Sequence, residues 1–105
     1  MNYYERHIGD YIKDTSHLSL LEHGVYTRLL DVYYTRESPI HAKDAARLVG
    51  ARSKDEMEAL ESVLSEFFTL DADAGVYRQD RCDREIARFG DKQRKAKASA
   101  DARWS

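Results

Sequence analysis

Between residues 19 and 34 the apolar positions recur with the period of a helix that is apolar around most of its circumference. Leu21, Val25, Leu29 and Tyr33 form one row at four-residue spacing, and Tyr26, Leu30 and Tyr34 form a second beside it. Gly24, Thr27, Arg28, Asp31 and Thr35 remain as a narrow strip for solvent or for close helix contact. Ser19 followed three positions later by Glu22 is a capping box, in which each side chain satisfies a free backbone N–H, so the helix is predicted to begin there. Gly24 inside such a helix costs about 1 kcal/mol relative to Ala, and close approach of another backbone is the expected reason. A helix this apolar belongs at the centre of a small domain.

The flanking pattern supplies the other elements. Tyr3 to Ile8 is aromatic and partly alternating, which permits a short strand. Ser38 and Pro39 stop the central helix, because the residue before a proline is pushed out of the helical region, and a turn follows. Ala42 to Val49 is predicted as a short helix with Ala45, Leu48 and Val49 inward and Gly50 as a left-handed cap. Ser53 and Glu56 repeat the capping box and open a third helix, whose Met57, Leu60, Leu64, Phe67 and Phe68 form the inward stripe. Thr69 to Asp71 and Val76 to Gln79 flank a turn-rich segment ending in Gly75, the pattern of a β-hairpin. From Arg81 a last helix turns Cys82, Ile86 and Phe89 inward, and beyond Gly90 large apolar residues are missing until Trp104.

Composition narrows the class. A chain of 105 residues with 42% hydrophobic content supports one modest core, and a single proline with five glycines disfavours an all-β fold. One domain is expected over residues 1–89, with 90–105 as a basic helical extension or linker that is mobile in solution unless it packs against another chain or a partner. No apolar run approaches 18 residues, and the start, MNYYERHIGDY, lacks a basic leader and an apolar core; a cytoplasmic protein without membrane contact is expected. Charge is uneven along the chain. Up to Phe89 there are 12 Lys and Arg against 17 Asp and Glu, whereas Gly90 to Ser105 holds five against two. A polyanion would meet the tail first.

Three helices followed by a hairpin is the order of a winged helix-turn-helix, so the fold is expected to be mostly α, of the α+β class, with a small β-hairpin wing and a C-terminal helix. The run HIGDYIKDTSHLSLLEHGVYTRLLDVYY, then Pro39, Leu48, SEFF at 65–68, Gly75-Val76-Tyr77, Arg81, Glu85 and the closing ADARW, resembles the prophage-encoded YdaU-like family of uncharacterised function. That family is similar in turn to N-terminal winged-helix domains of phage replication initiators. The resemblance implies a module of a DNA-replication protein and brings no catalytic or ligand residue with it.

The third helix is a poor reader of DNA. Residues 53–68 hold Lys54 against Asp55, Glu56, Glu58, Glu61 and Glu66, which phosphates would repel. DNA contact is therefore expected at Arg47 and Arg52, at Arg78, Arg81, Arg84 and Arg88, or at Lys92, Arg94, Lys95 and Lys97; the bland alternative pairs the wing and last-helix arginines with Asp80, Asp83 and Glu85. The rival reading is a protein–protein adaptor or dimerisation domain, docking a replication helicase, a loader or a second copy through Asp55, Glu58, Glu61, Tyr3, Tyr4 and Tyr77. Around Tyr11, the side chains of Asp10, Asp14 and Thr15 are expected to bond the local backbone before the central helix. His7, His17, His23 and His41 lack the spacing of a helical metal pair and Cys82 stands alone, so no metal, cofactor, disulfide or small-molecule substrate is expected. Without a phosphate loop, a serine elbow or a Cys/His pairing, no catalytic residue is assigned.

Overall fold

The computed structural model describes residues 1–104, Trp104 by its backbone alone; Ser105, the last residue of the expected extension, lies outside the described residues, as does the Trp104 side chain. The elements are α1 (Ile8–Thr15), α2 (Leu20–Arg36), β1 (Ile40–His41), a 3-10 turn (Ala42–Asp44), α3 (Ala45–Val49), α4 (Lys54–Phe67), β2 (Thr69–Asp71), β3 (Val76–Arg78) and α5 (Asp80–Trp104). The fold is mostly helical with a small three-stranded antiparallel sheet in the order β1-β3-β2. Ile40 pairs with Tyr77, and Thr69, Leu70 and Asp71 pair with Arg78, Tyr77 and Val76.

Both predicted capping boxes are formed. Ser19 Oγ accepts from the Glu22 N–H at 3.1 Å while Glu22 accepts from the Ser19 N–H at 2.9 Å, and Ser53 with Glu56 repeats these distances. The backbone donors hold both carboxyls, Glu22 and Glu56, below the usual carboxylate range. α2 is the central helix: it packs on α3, α4 and α5 and buries Val25, Tyr26, Leu29, Leu30, Tyr33 and Tyr34. α4 buries Ala59, Leu60, Val63 and Leu64, with Phe68 just beyond its end. Gly50 and Gly75 adopt the positive φ that their cap and turn require.

Several expectations are corrected. Residues 3–7 form no strand; Ile8–Thr15 is instead a helix, without a side-chain cap at its start. The turn after Pro39 contains β1, whose two residues complete the sheet. Gly24 has no neighbouring atom within 4 Å of where a Cβ would stand, so no backbone approaches it. By spacing Leu21 and Met57 belong to apolar rows expected to face the core, yet they are 41% and 42% exposed. Leu21 lies in the first turn of α2, where the helix emerges beyond the residues that cover its centre.

α5 joins the core through a ladder of polar contacts to the tyrosines of α2. The Tyr33 hydroxyl donates to Asp83 at 2.5 Å and accepts from the Gln79 N–H at 3.2 Å; Tyr34 donates to Glu85 at 2.9 Å; Gln79 Nε2 donates to the Tyr26 hydroxyl at 3.1 Å. Burial above all, with the acceptor carboxylates second for Tyr33, raises the phenols of both Tyr33 and Tyr34 well above their ordinary value. Cys82, fully buried beside them, bonds Gln79 at 2.9 Å, and burial pushes its thiol up to about 11. A thiol reagent at pH 8 should therefore fail to modify the native chain and react only as denaturant opens it. The unfolded thiol ionises near 9.0 while the folded one holds its proton to about 11, so this group's contribution to stability should fall as pH rises between those values. Rapid labelling of the fully folded protein would contradict the placement of Cys82.

Candidate nucleic-acid and partner interface

α5 runs unbroken for 25 residues, and every residue from 91 to 103 is exposed. Arg81, Arg84, Arg88, Lys92 and Lys95 recur along it at steps of three or four residues, which places all five on one face. Arg81 is engaged, 3.5 Å from both Asp10 and Glu85. Arg84, Arg88, Lys92 and Lys95 are exposed and in no ion pair among the described residues; at a rise of about 1.5 Å per residue they form a cationic row about 17 Å long. Spacing alone could have found this row.

The remaining candidate bases do not join it as one site. Arg47 pairs with Asp44 at 3.4 Å and Arg78 with Asp71 at 3.3 Å across the hairpin. The neighbouring N–H of Ala74 and then Arg78 hold the Asp71 carboxyl below its ordinary range. Arg94 pairs with Asp91 along the helix, and Lys97 lies on a different side of α5 from the row. Arg52 is exposed near the start of α4, where its N–H, with that of Ser53, bonds the Glu56 carboxylate. Asp83 and Glu85, expected to neutralise arginines, spend oxygens on Tyr33 and Tyr34 instead, although Glu85 also faces Arg81 and, at 3.7 Å, His7.

The opposite charge gathers on α4. Asp55, Glu58 and Glu61 are exposed together with Ser62, Ser65 and Met57. Of the aromatic residues expected to dock a partner, only Tyr3 stands free, at 81% exposure. Tyr4 stacks on Tyr34 with ring centroids 4.2 Å apart and donates to Asp31 at 2.6 Å, while Tyr77 lies in the middle strand, half-buried against the core. A further apolar surface lies outside the expected sites: Leu20, 89% exposed, and Leu21 line an open cleft with Gly24, Val25, Arg28, Val49, Gly50, Ala51 and Glu56. The signal for it was Ser19, since a cap there puts both leucines in the first turn of the helix, at the edge of the core.

The N-terminal segment closes over α2. Thr15 is buried and bonds the Tyr11 carbonyl at 2.5 Å, the local backbone role expected of it, whereas Asp10 reaches across to Arg81. The Tyr11 hydroxyl meets His23 Nδ1 at 2.9 Å, Arg6 lies over the Tyr11 ring at 4.0 Å, and His17 is bonded to Glu66. Tyr4, Arg6, Asp14, Tyr26 and Glu85 are among the residues around a cavity of about 60 Å³, far below the roughly 300 Å³ at which ligand pockets begin. Only a few waters fit there. The larger Leu20 cleft has two charged side chains, and Glu56 is already committed to its capping box. Among the described residues no cluster of three His, Cys, Asp or Glu could hold a metal ion, and no helix is long and apolar enough to cross a membrane.

Comparison with known proteins places the chain in a family. No solved structure matches the chain. The uncharacterized protein YdaU of Escherichia coli (strain K12) is 35% identical over 108 residues, an alignment that covers 98% of this chain and 36% of that protein, so the chain spans about a third of its relative's length. The family model described as protein of unknown function (DUF1376) matches residues 2–87, from the N-terminal segment through the two tyrosine acceptors of α5, and the chain belongs to that family.

Proposed function

We propose that this chain is a non-enzymatic winged helix-turn-helix module that holds nucleic acid by its phosphates, as part of a prophage replication protein. The cationic row of α5, exposed and free of acid partners at Arg84, Arg88, Lys92 and Lys95, carries this reading. The succession α2, α3, α4 and hairpin, with β1 completing a sheet in the order β1-β3-β2, supports the winged-helix assignment. α4, which would enter the major groove in the usual docking, presents Asp55, Glu58 and Glu61 and is turned away from the phosphates. Binding is then weak, salt-dependent and indifferent to base sequence, because phosphate contacts position a protein without reading bases.

Electrophoretic shifts with single- and double-stranded DNA over a salt series test this. Charge reversal at Arg84, Arg88 and Lys95 should weaken binding to every sequence alike and flatten the salt dependence by about one unit of log–log slope per lost phosphate contact. Replacing Glu58 and Glu61 with Gln should leave binding unchanged or tighten it. Loss of binding in the glutamine variant, with full binding in the reversed one, would put α4 at the DNA and discard the α5 interface. The exposed Leu20 and Leu21, lining a cleft that reaches Glu56 at the start of α4, favour a second reading: an adaptor that docks another replication protein without touching DNA. Absence of any shift at low salt would leave the adaptor standing.

A further inference from the structure

Two faces of this chain carry opposite charge and have no partner among the described residues. The outer face of α4 offers Asp55, Glu58 and Glu61, none of them in an ion pair among the described residues, with the short side chains of Ser62 and Ser65 between and beyond them. α4 has 14 residues and is therefore about 21 Å long. The part of α5 that leaves the core begins at residue 91. On it Lys92, Lys95 and Arg103 share a face with Ala96 and Ser99. Such small residues, opposite the serines of α4, let two helix axes come within about 8 to 10 Å.

The exposed arm needs a partner surface. Most helical stability in proteins comes from packing one face of the helix. Its own α4 is out of reach while α5 stays unbroken, since the arm leads away from the core and stretches the molecule to 58 × 33 × 21 Å. A second copy has the matching surface. We propose that the α5 arm of one copy docks along the acidic α4 face of another, and reciprocally, as a two-fold dimer. The two-fold relation satisfies both complementary pairs at once and closes the assembly. Lys92 and Lys95 serve both this contact and the phosphate row, so nucleic acid and a second copy compete for the arm. The dimer itself does not depend on the nucleic-acid reading.

Sedimentation equilibrium of the chain without nucleic acid, at low and high salt, tests the proposal with two charge-reversed variants. One carries Glu58→Lys with Glu61→Lys, the other Lys92→Glu with Lys95→Glu. The parent chain should dimerise at low salt and dissociate as salt screens the faces. Each variant alone should dimerise at least about tenfold more weakly, since two attractions become repulsions. Mixed in equal amounts, the two should recover the dimer, because each reversed face then meets the other chain's reversed face and the two unaltered faces still match. Recovery would also show that both variants are folded. A parent chain that stays monomeric at low salt, self-association untouched by either reversal, or a mixture that stays monomeric would each overturn the model.

Discussion

Leu29→Ala should destabilise the chain by about 2 to 5 kcal/mol, the largest effect expected of any single truncation considered for this fold. Leu29 is fully buried at the middle of α2, and the cluster around it takes in Tyr33 from its own helix, Val63 from α4 and Ile40 from β1. Removing its branched end leaves a cavity in a fully buried position, around which the surrounding structure relaxes only in part. A domain of this size has about 5 to 15 kcal/mol in total, so the variant should stand near the threshold of folding. Glu58→Ala, on the exposed face of α4, should fall within about 0.5 kcal/mol of the parent. Urea melts at equal m-value measure both. Coincident curves would mean that the face of α2 directed at the core has been assigned wrongly.

The helices that announce themselves do so through local chemistry. α2 and α4 each begin with a Ser and a Glu three residues apart, and their apolar rows repeat often enough for the period to be read. The hairpin was legible for a similar reason, because Gly75 marks a position of positive φ between two short apolar runs. α1 sent no such signal: it has eight residues, no capping side chain and one buried residue, Thr15. β1 has two residues and exists because β3, more than thirty positions away, offers it an edge. Exposure within a correctly placed helix was harder still. Leu21 and Met57 fit their rows by spacing, but burial is decided by which turn another element covers, and the first turns of α2 and α4 are not covered there.

The candidate surface was partly legible on the same terms. The acids of α4 and the bases of α5 are charges along single helices, so composition and spacing locate them without tertiary knowledge. What each charge faces is a long-range matter. Asp83 and Glu85 stand among arginines in the sequence, and the natural expectation pairs them locally. In the fold Glu85 does pair with Arg81, but hydroxyls about fifty residues away also reach both carboxylates, and Arg84 and Arg88 are in no ion pair among the described residues. The tyrosines of α2 thus hold α5 to the core and, by occupying its acids, keep the positive face of that helix open.

That ladder makes Tyr33→Phe the second large effect, about 1 to 3 kcal/mol, even though the ring stays and its packing is conserved. The Tyr33 hydroxyl joins two partners at the start of α5: it donates to Asp83 at 2.5 Å and accepts from the Gln79 N–H at 3.2 Å. Removing one oxygen therefore leaves a half-buried carboxylate and a backbone donor without their bonds, and a stranded polar group costs more than the lost bond alone. Tyr34→Phe supplies the comparison. It frees Glu85, but Arg81 lies 3.5 Å from that carboxylate and His7 3.7 Å, so the charge keeps company and the cost should be nearer 1 kcal/mol. Urea melts should rank the chains as parent, Tyr34→Phe and Tyr33→Phe in falling stability. A Tyr33→Phe chain as stable as the parent would show that Asp83 and Gln79 are satisfied by solvent, and that α5 is held to the core by Cys82 and Ile86 rather than by the tyrosines.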